Sequence, residues 1–176
     1  MKLARLALPL LAAFATVLLP LPAARAVDAA QAMPLSSFPQ EPITVETRSA
    51  RRHAFKAWRA ETPEQREQGL MFVRHMGADE AMIFVYDPAE YVAMWMKNTF
   101  LPLDMLFVDA RGCVVHIKEH AKPQSLDTIE SGGPVAVVVE LNGGAVAERG
   151  IRRGDRLVRP SVGWPPNPDA PCPAPR

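Results

Sequence analysis

Between residues 51 and 159 the chain is written in short apolar runs separated by polar and turn-forming residues. His53 to Arg59 alternates Phe55 and Ala57 with Lys56 and Trp58, which predicts an opening strand. Ala81 to Tyr86 is apolar and stops at Asp87-Pro88, a turn signal. Val92 to Met96, Leu103 to Val108 and Cys113 to Lys118 follow as strands. Asp109-Ala110-Arg111-Gly112 supplies a hairpin turn between the last two, with Gly where positive φ is needed. Ser131-Gly132-Gly133 breaks the chain before Val135 to Leu141, a β-branched run suited to a central strand buried on both faces. Arg156 to Val158 closes the series after a turn at Gly154-Asp155.

Two helical segments interrupt the strands. Thr62 caps the first, Pro63 fits the first helical position, Gln65 stands where a capping box requires it, and Gly69 ends it. The second runs from about Gly144 to Arg149 and is closed by Gly150. Six or seven short strands with two short helices predict a mostly-β (α+β) domain, a small barrel or sandwich.

The flanks read differently. Lys2 and Arg5, the apolar stretch Leu6 to Leu21, and Ala24-Arg25-Ala26 have the order of a signal peptide over residues 1–26, with Val27 the first mature residue. Pro9, Pro20 and Pro22 argue against a membrane anchor, so stable membrane insertion after cleavage is not expected. The reading is a periplasmic or secreted protein. Residues 27–50 lack clear periodicity and read as a flexible tether, while residues 160–176 hold seven prolines and form a Pro-rich tail.

With the signal peptide go Lys2, Arg5 and Arg25, so the 20 basic side chains fall to 17 against 19 acidic ones. That balance argues against nucleic acid as a partner. Cys113 and Cys172 leave two readings open. A bridge could pin the tail, but Cys113 inside a predicted strand reads better as a buried, inert thiol. Two distant cysteines give no metal framework.

The chemistry concentrates after Trp95, where an apolar run breaks into Lys97, Asn98 and Thr99, with Asp104 close behind. If Val92 to Met96 and Leu103 to Val108 are antiparallel neighbours, Lys97 and Asp104 share one end of the pair. They then form either a surface ion pair, worth under about 1 kcal/mol, or a ligand site with Trp95 as its flat wall. Glu119 and His120 beside a Lys-Pro turn would line the same mouth. The candidate ligand-binding set is therefore Trp95, Lys97, Asn98, Thr99, Asp104, Glu119 and His120.

Other chemistries weaken on spacing. His116 and His120 lie on one strand face but about 13 Å apart at strand rise, too far to share an ion. Met94 and Met96 point the same way and could hold Cu(I), yet methionine in apolar runs more simply fills a core. Ser125 and Ser131 sit in no nucleophile elbow. Ser131-Gly132-Gly133-Pro134 precedes a strand, the wrong context for a phosphate loop.

The ordered motifs resemble a known family. They are Thr62-Pro63-Glu64-x-Arg66-x-x-Gly69-Leu70-Met71-Phe72, Met82-x-Phe84-Val85-Tyr86, Trp95-Met96-Lys97-Asn98-Thr99-x-x-Pro102-Leu103-Asp104, Ser131-Gly132-Gly133-Pro134-Val135 and Gly150-Ile151-x-x-Gly154-Asp155. Over about residues 53–159 this resembles the domain of unknown function 192 (DUF192) family, found in exported bacterial and archaeal proteins. The resemblance implies a small β-rich domain, here residues 51–159, and supplies no activity or catalytic residue. The leading expectation is a non-catalytic binding module for a small polar ligand or a partner segment, with no catalytic residue, metal or cofactor assigned. The alternatives are a hydrolase-type enzyme using Asp104 or Glu119, and a methionine-based copper-handling protein.

Overall fold

Alternating apolar and polar side chains turn most of this chain into strands, and the strands join one sheet. A computed structural model describes residues 29–167 and 170–173; the expected signal peptide, residues 1–26, lies outside them. The elements are β1 (Gln40–Glu46), β2 (Arg52–Ala60), α1 (Pro63–Gln68), β3 (Glu80–Met94), β4 (Leu103–Val108), β5 (Val114–Ala121), β6 (Ile129–Asn142), α2 (Ala145–Arg149) and β7 (Arg156–Val158). Their order across the sheet is β5-β4-β6-β3-β2-β1-β7, antiparallel except for the β2–β3 pair, which α1 connects. The sheet curls until its two ends meet. Cys113 bridges Arg156, Leu157 N–H donates to Gly112 O and Val114 N–H to Asp155 O, both at 2.8 Å.

Curling gives the sheet two apolar faces. Ile43, Val45, Phe55, Ile83, Leu106, Val139 and Leu157 fill the first core, closed by Val146 of α2. Trp58, Leu70, Met82, Phe84, Met96, Met105, Phe107 and Val138 fill the second, beneath α1. The mostly-β expectation holds, with two short helices as predicted. The capping box of α1 is present: Thr62 Oγ1 accepts from Gln65 N–H at 3.2 Å, and Gln65 Oε1 accepts from Thr62 N–H at 3.2 Å. Gly69 follows at φ 50°, and a Cβ there would come within 2.8 Å of the Phe84 ring, so glycine lets α1 sit directly on β3.

The structure departs from the sequence reading in five places. First, the stretch read as a tether contains β1, whose Ile43 and Val45 are fully buried. Its alternation is short and crossed by Pro42, which hid it. Second, Ala81–Tyr86 and Val92–Met96 are not two strands. They belong to β3, whose register against β6 slips between Val85 and Glu90 and again between Tyr91 and Ala93. Asp87-Pro88 is absorbed in that irregularity because β6 runs alongside both halves. Third, Ser131-Gly132-Gly133 does not break a strand but lies inside β6. There the Ser131 hydroxyl accepts from Val92 N–H at 3.0 Å and donates to Gly133 O at 2.7 Å. Fourth, β3 and β4 are not neighbours, since β6 lies between them. Fifth, Cys113 is no free thiol: it is bonded to Cys172 with Cα atoms 5.5 Å apart, tying the Pro-rich tail to the sheet.

The disulfide spans a separation of 59 residues, for which chain-entropy reasoning gives about 4 kcal/mol of stabilisation. Cys172→Ser is expected to lower the unfolding free energy by that order, moving the urea midpoint down, with an unchanged far-ultraviolet spectrum. An unchanged midpoint would show that the crosslink contributes no stability.

Candidate functional site

Side chains along β6 alternate between the cores, so Val137, Val139 and Leu141 face the first while Val138 faces the second. Glu140 therefore points into the second core. Its neighbours across the sheet are Met82 on β3 and Met105 on β4, both fully buried. Glu140 is itself only 4% exposed, and its Oε2 has no hydrogen-bond partner among the described residues. Burial pushes its carboxyl from an ordinary 4.5 up to about 8. Burial thus favours the protonated form at neutral pH, a form able to donate a hydrogen bond.

Glu140 is reached through a cleft of about 340 Å³ between α1, the end of β3 and the segment beyond it. Leu70, Met71, Phe84 and Met94 supply apolar wall, and Trp95 stands at the rim, 44% exposed. Tyr86 also lines the cleft, its hydroxyl 3.9 Å from Met94 Sδ. Burial pushes that phenol up to about 12; Arg66 opposes the rise, and Glu140 and Glu90 add to it. The Arg66 guanidinium lies 5.1 Å over the Tyr86 ring and donates to Val85 O at 3.1 Å and to Glu61 O. Gln68 exchanges hydrogen bonds with the backbone of Met33 at 2.6 and 2.7 Å, fastening the segment before β1 against α1. The result is an apolar pocket with a proton donor at depth and a phenol and an indole nearby, a common constitution for small-ligand sites.

Of the sequence-predicted residues, Trp95 and Thr99 line this cleft. Thr99 is buried and donates to Lys97 O at 3.3 Å. Lys97, outside the lining, holds its Nζ 5.0 Å over the Trp95 ring, a cation–π contact that props the rim. Asn98 takes the left-handed conformation at φ 55°, its carbonyl accepting from Phe72 N–H at 2.9 Å. Asp104 is fully buried on the other face of the sheet. Its Oδ1 accepts from His120 N–H at 2.8 Å and its Oδ2 from Gly144 and Val146 N–H at 2.9 Å each. It thereby caps α2, whose own capping residue is a glycine with no side chain to offer. Glu119 and His120 are exposed and absent from the Glu140 cleft. Met82, Met94, Met96 and Met105 all pack in the second core.

Glu140, Tyr86 and Arg66 were missed from sequence. A signal for Glu140 existed: one carboxylate within Val135 to Leu141, a run otherwise suited to burial on both faces. Such a carboxylate must be either satisfied or functional. Nothing local distinguished Tyr86 or Arg66, because sheet order decides what they stand beside.

The family model DUF192, described as Uncharacterized ACR, matches residues 44–159, taking in part of β1. Two solved structures are similar. One, from Sinorhizobium meliloti, carries a name suggesting a transcription regulator. It is 45% identical, with a TM-score of 0.69 over 70% of this chain and 96% of that one. The other, a protein of unknown function from Novosphingobium aromaticivorans, is 36% identical, with a TM-score of 0.68 over 78% of this chain and 94% of that one. None of the curated proteins matches the chain.

A carboxyl raised from 4.5 to about 8 on folding has a definite consequence for stability. Between these values the folded protein keeps a proton that the unfolded chain has released. Stability therefore falls as pH rises across that window, by up to about 1.4 kcal/mol per pH unit. Glu41 acts elsewhere. Burial raises its pKa, but hydrogen bonds from Arg159 and Arg59 outweigh this and lower it below 4.5, so its contribution is lost only in more acidic solution. Urea denaturation from pH 5 to pH 8 is expected to show a downward slope in the native protein that Glu140→Gln removes. Parallel curves for the two proteins would contradict the assignment.

Proposed function

The chain belongs to the DUF192 family of uncharacterised proteins, and we propose that it is an exported binding module whose ligand enters the Glu140 cleft. One observation carries this reading: a buried carboxyl with an unpartnered oxygen at a cleft that opens past an exposed indole. Leaving a buried polar group unpaired costs about 1–3 kcal/mol, and a ligand that pairs with it recovers that penalty on binding. Protonated Glu140 donates, so the inner end of the ligand is a hydrogen-bond acceptor such as a carbonyl or hydroxyl oxygen. The methionine, leucine and phenylalanine walls take its apolar body, and the Trp95 face covers it at the rim. A small amphipathic molecule fits better than a highly charged one. Export is supported by the residue order of the N-terminal segment and by the Cys113–Cys172 disulfide, a bond favoured in oxidising compartments. Among the described residues, no helix is long and apolar enough to cross a membrane.

A second reading has one observation in its favour. A carboxyl with a pKa near neutrality is competent for general acid–base work, and Glu140 meets that condition. Neither carboxylate first considered is placed for it. Asp104 already accepts three backbone N–H bonds, and Glu119 lies in a different cleft.

The test is a screen of small neutral amides and ketones followed by amide and methyl resonances in NMR. Binders are expected to shift the Trp95 indole and the Met71 and Met94 methyls, and to weaken above pH about 8 as Glu140 loses its proton. Glu140→Met should abolish binding, while Lys97→Ala should weaken it only slightly. Shifts confined to other surfaces, or binding indifferent to Glu140→Met, would overturn the proposal. Turnover of a bound compound would favour the acid–base reading.

A further inference from the structure

A second cleft, of about 780 Å³, lies where the curled sheet brings the β1–β2 turn beside the loop between α2 and β7. Its lining shares no residue with the Glu140 cleft. Arg48 and Arg51 enter from the turn, and Arg152 and Arg153 from the loop. No carboxylate lies within ion-pair distance of these four guanidinium groups among the described residues. The near-neutral balance of the whole chain hides this local surplus.

The arrangement is built rather than incidental. Asp155, only 2% exposed, accepts from Arg48 N–H at 2.9 Å through Oδ1 and from Arg152 N–H at 2.7 Å through Oδ2. One buried carboxylate thus clamps the two arginine-bearing loops together, with its charge spent on their backbones. Gly150 and Gly154, at φ 66° and 88°, supply the left-handed turns of the loop, with the Arg51 guanidinium packed against Gly150 and that of Arg48 against Gly154. Arg153 is steadied by donating Nε–H to Val115 O at 2.8 Å. Glu119 is the opposing charge on the lining that the clamp does not occupy.

We propose that this cleft binds a small polyanion bearing two or more oxyanion groups, phosphate or carboxylate. Guanidinium forks match the paired oxygens of both groups. Four arginines on one lining, of which Arg153 also borders the neighbouring cleft beside His116, exceed what one monovalent ion needs, and the volume exceeds what one inorganic phosphate fills.

Calorimetric titration of the folded chain with inorganic tripolyphosphate and, separately, with citrate tests this. Saturable binding of at least one, at one molecule per chain, is expected. It should weaken at least tenfold between about 0.05 M and about 0.5 M salt, as screening requires. Arg48→Ala/Arg152→Ala removes exposed side chains and is expected to keep the native melting temperature while lowering affinity at least tenfold. Glu119→Gln should tighten binding two- to threefold, which a merely structural role would not produce. The tighter of the two anions identifies the oxyanion class. Absence of saturable binding by both, or affinity unchanged in the arginine variant, would overturn the proposal. A single-stranded oligonucleotide binding through these arginines, with both small anions failing, would overturn it equally.

Discussion

The rest of the structure depends on burying β6 from both sides. It lies between β3 and β4, with the first core on one face and the second on the other. Such a strand accepts apolar side chains at every position, and Val135 through Val139 supply them. Glu140 breaks that rule at the place where α1 and the end of β3 leave a gap over the sheet. The surrounding apolar atoms favour the neutral form of the carboxyl, and Glu140 is part of the lining of that gap.

The contrast with Asp104 separates structure from candidate function. Both carboxyls are buried on neighbouring strands. Asp104 meets three backbone N–H groups and joins β4, the end of β5 and the start of α2 into one unit. Glu140 has an oxygen with no such partner. Burial alone says little about role, whereas the hydrogen bonds surrounding each group say a great deal. Asp155 is a third case, satisfied by backbone like Asp104 yet placed so that its bonds gather arginines at a surface cleft.

Much of the fold was legible because it is locally encoded. The capping box at Thr62 and Gln65, the hairpin at Asp109 to Gly112, and the β-branched run of β6 each identify their element from neighbouring residues alone. Long-range pairing was not legible. Nothing near Val92 or Leu103 announces that β6 inserts between their strands, and that insertion separates Lys97 from Asp104 in role. The site was half legible for the same reason. Trp95 and Thr99 were marked by an abrupt change from apolar to polar, while Tyr86 and Arg66 gain meaning only from the elements folded against them. The disulfide was open in sequence because its partners are far apart and only the curl of the sheet brings them together.

The protonation of Glu140 is the claim on which the binding site stands. Labelling glutamate side-chain carboxyl carbons with 13C and following the Glu140 resonance from pH 3 to pH 10 measures it directly. A midpoint near pH 8 is the predicted result. A Glu140 midpoint close to the ordinary 4.5 would mean that the group is ionised at neutral pH, contradicting its role as a donor in the cleft.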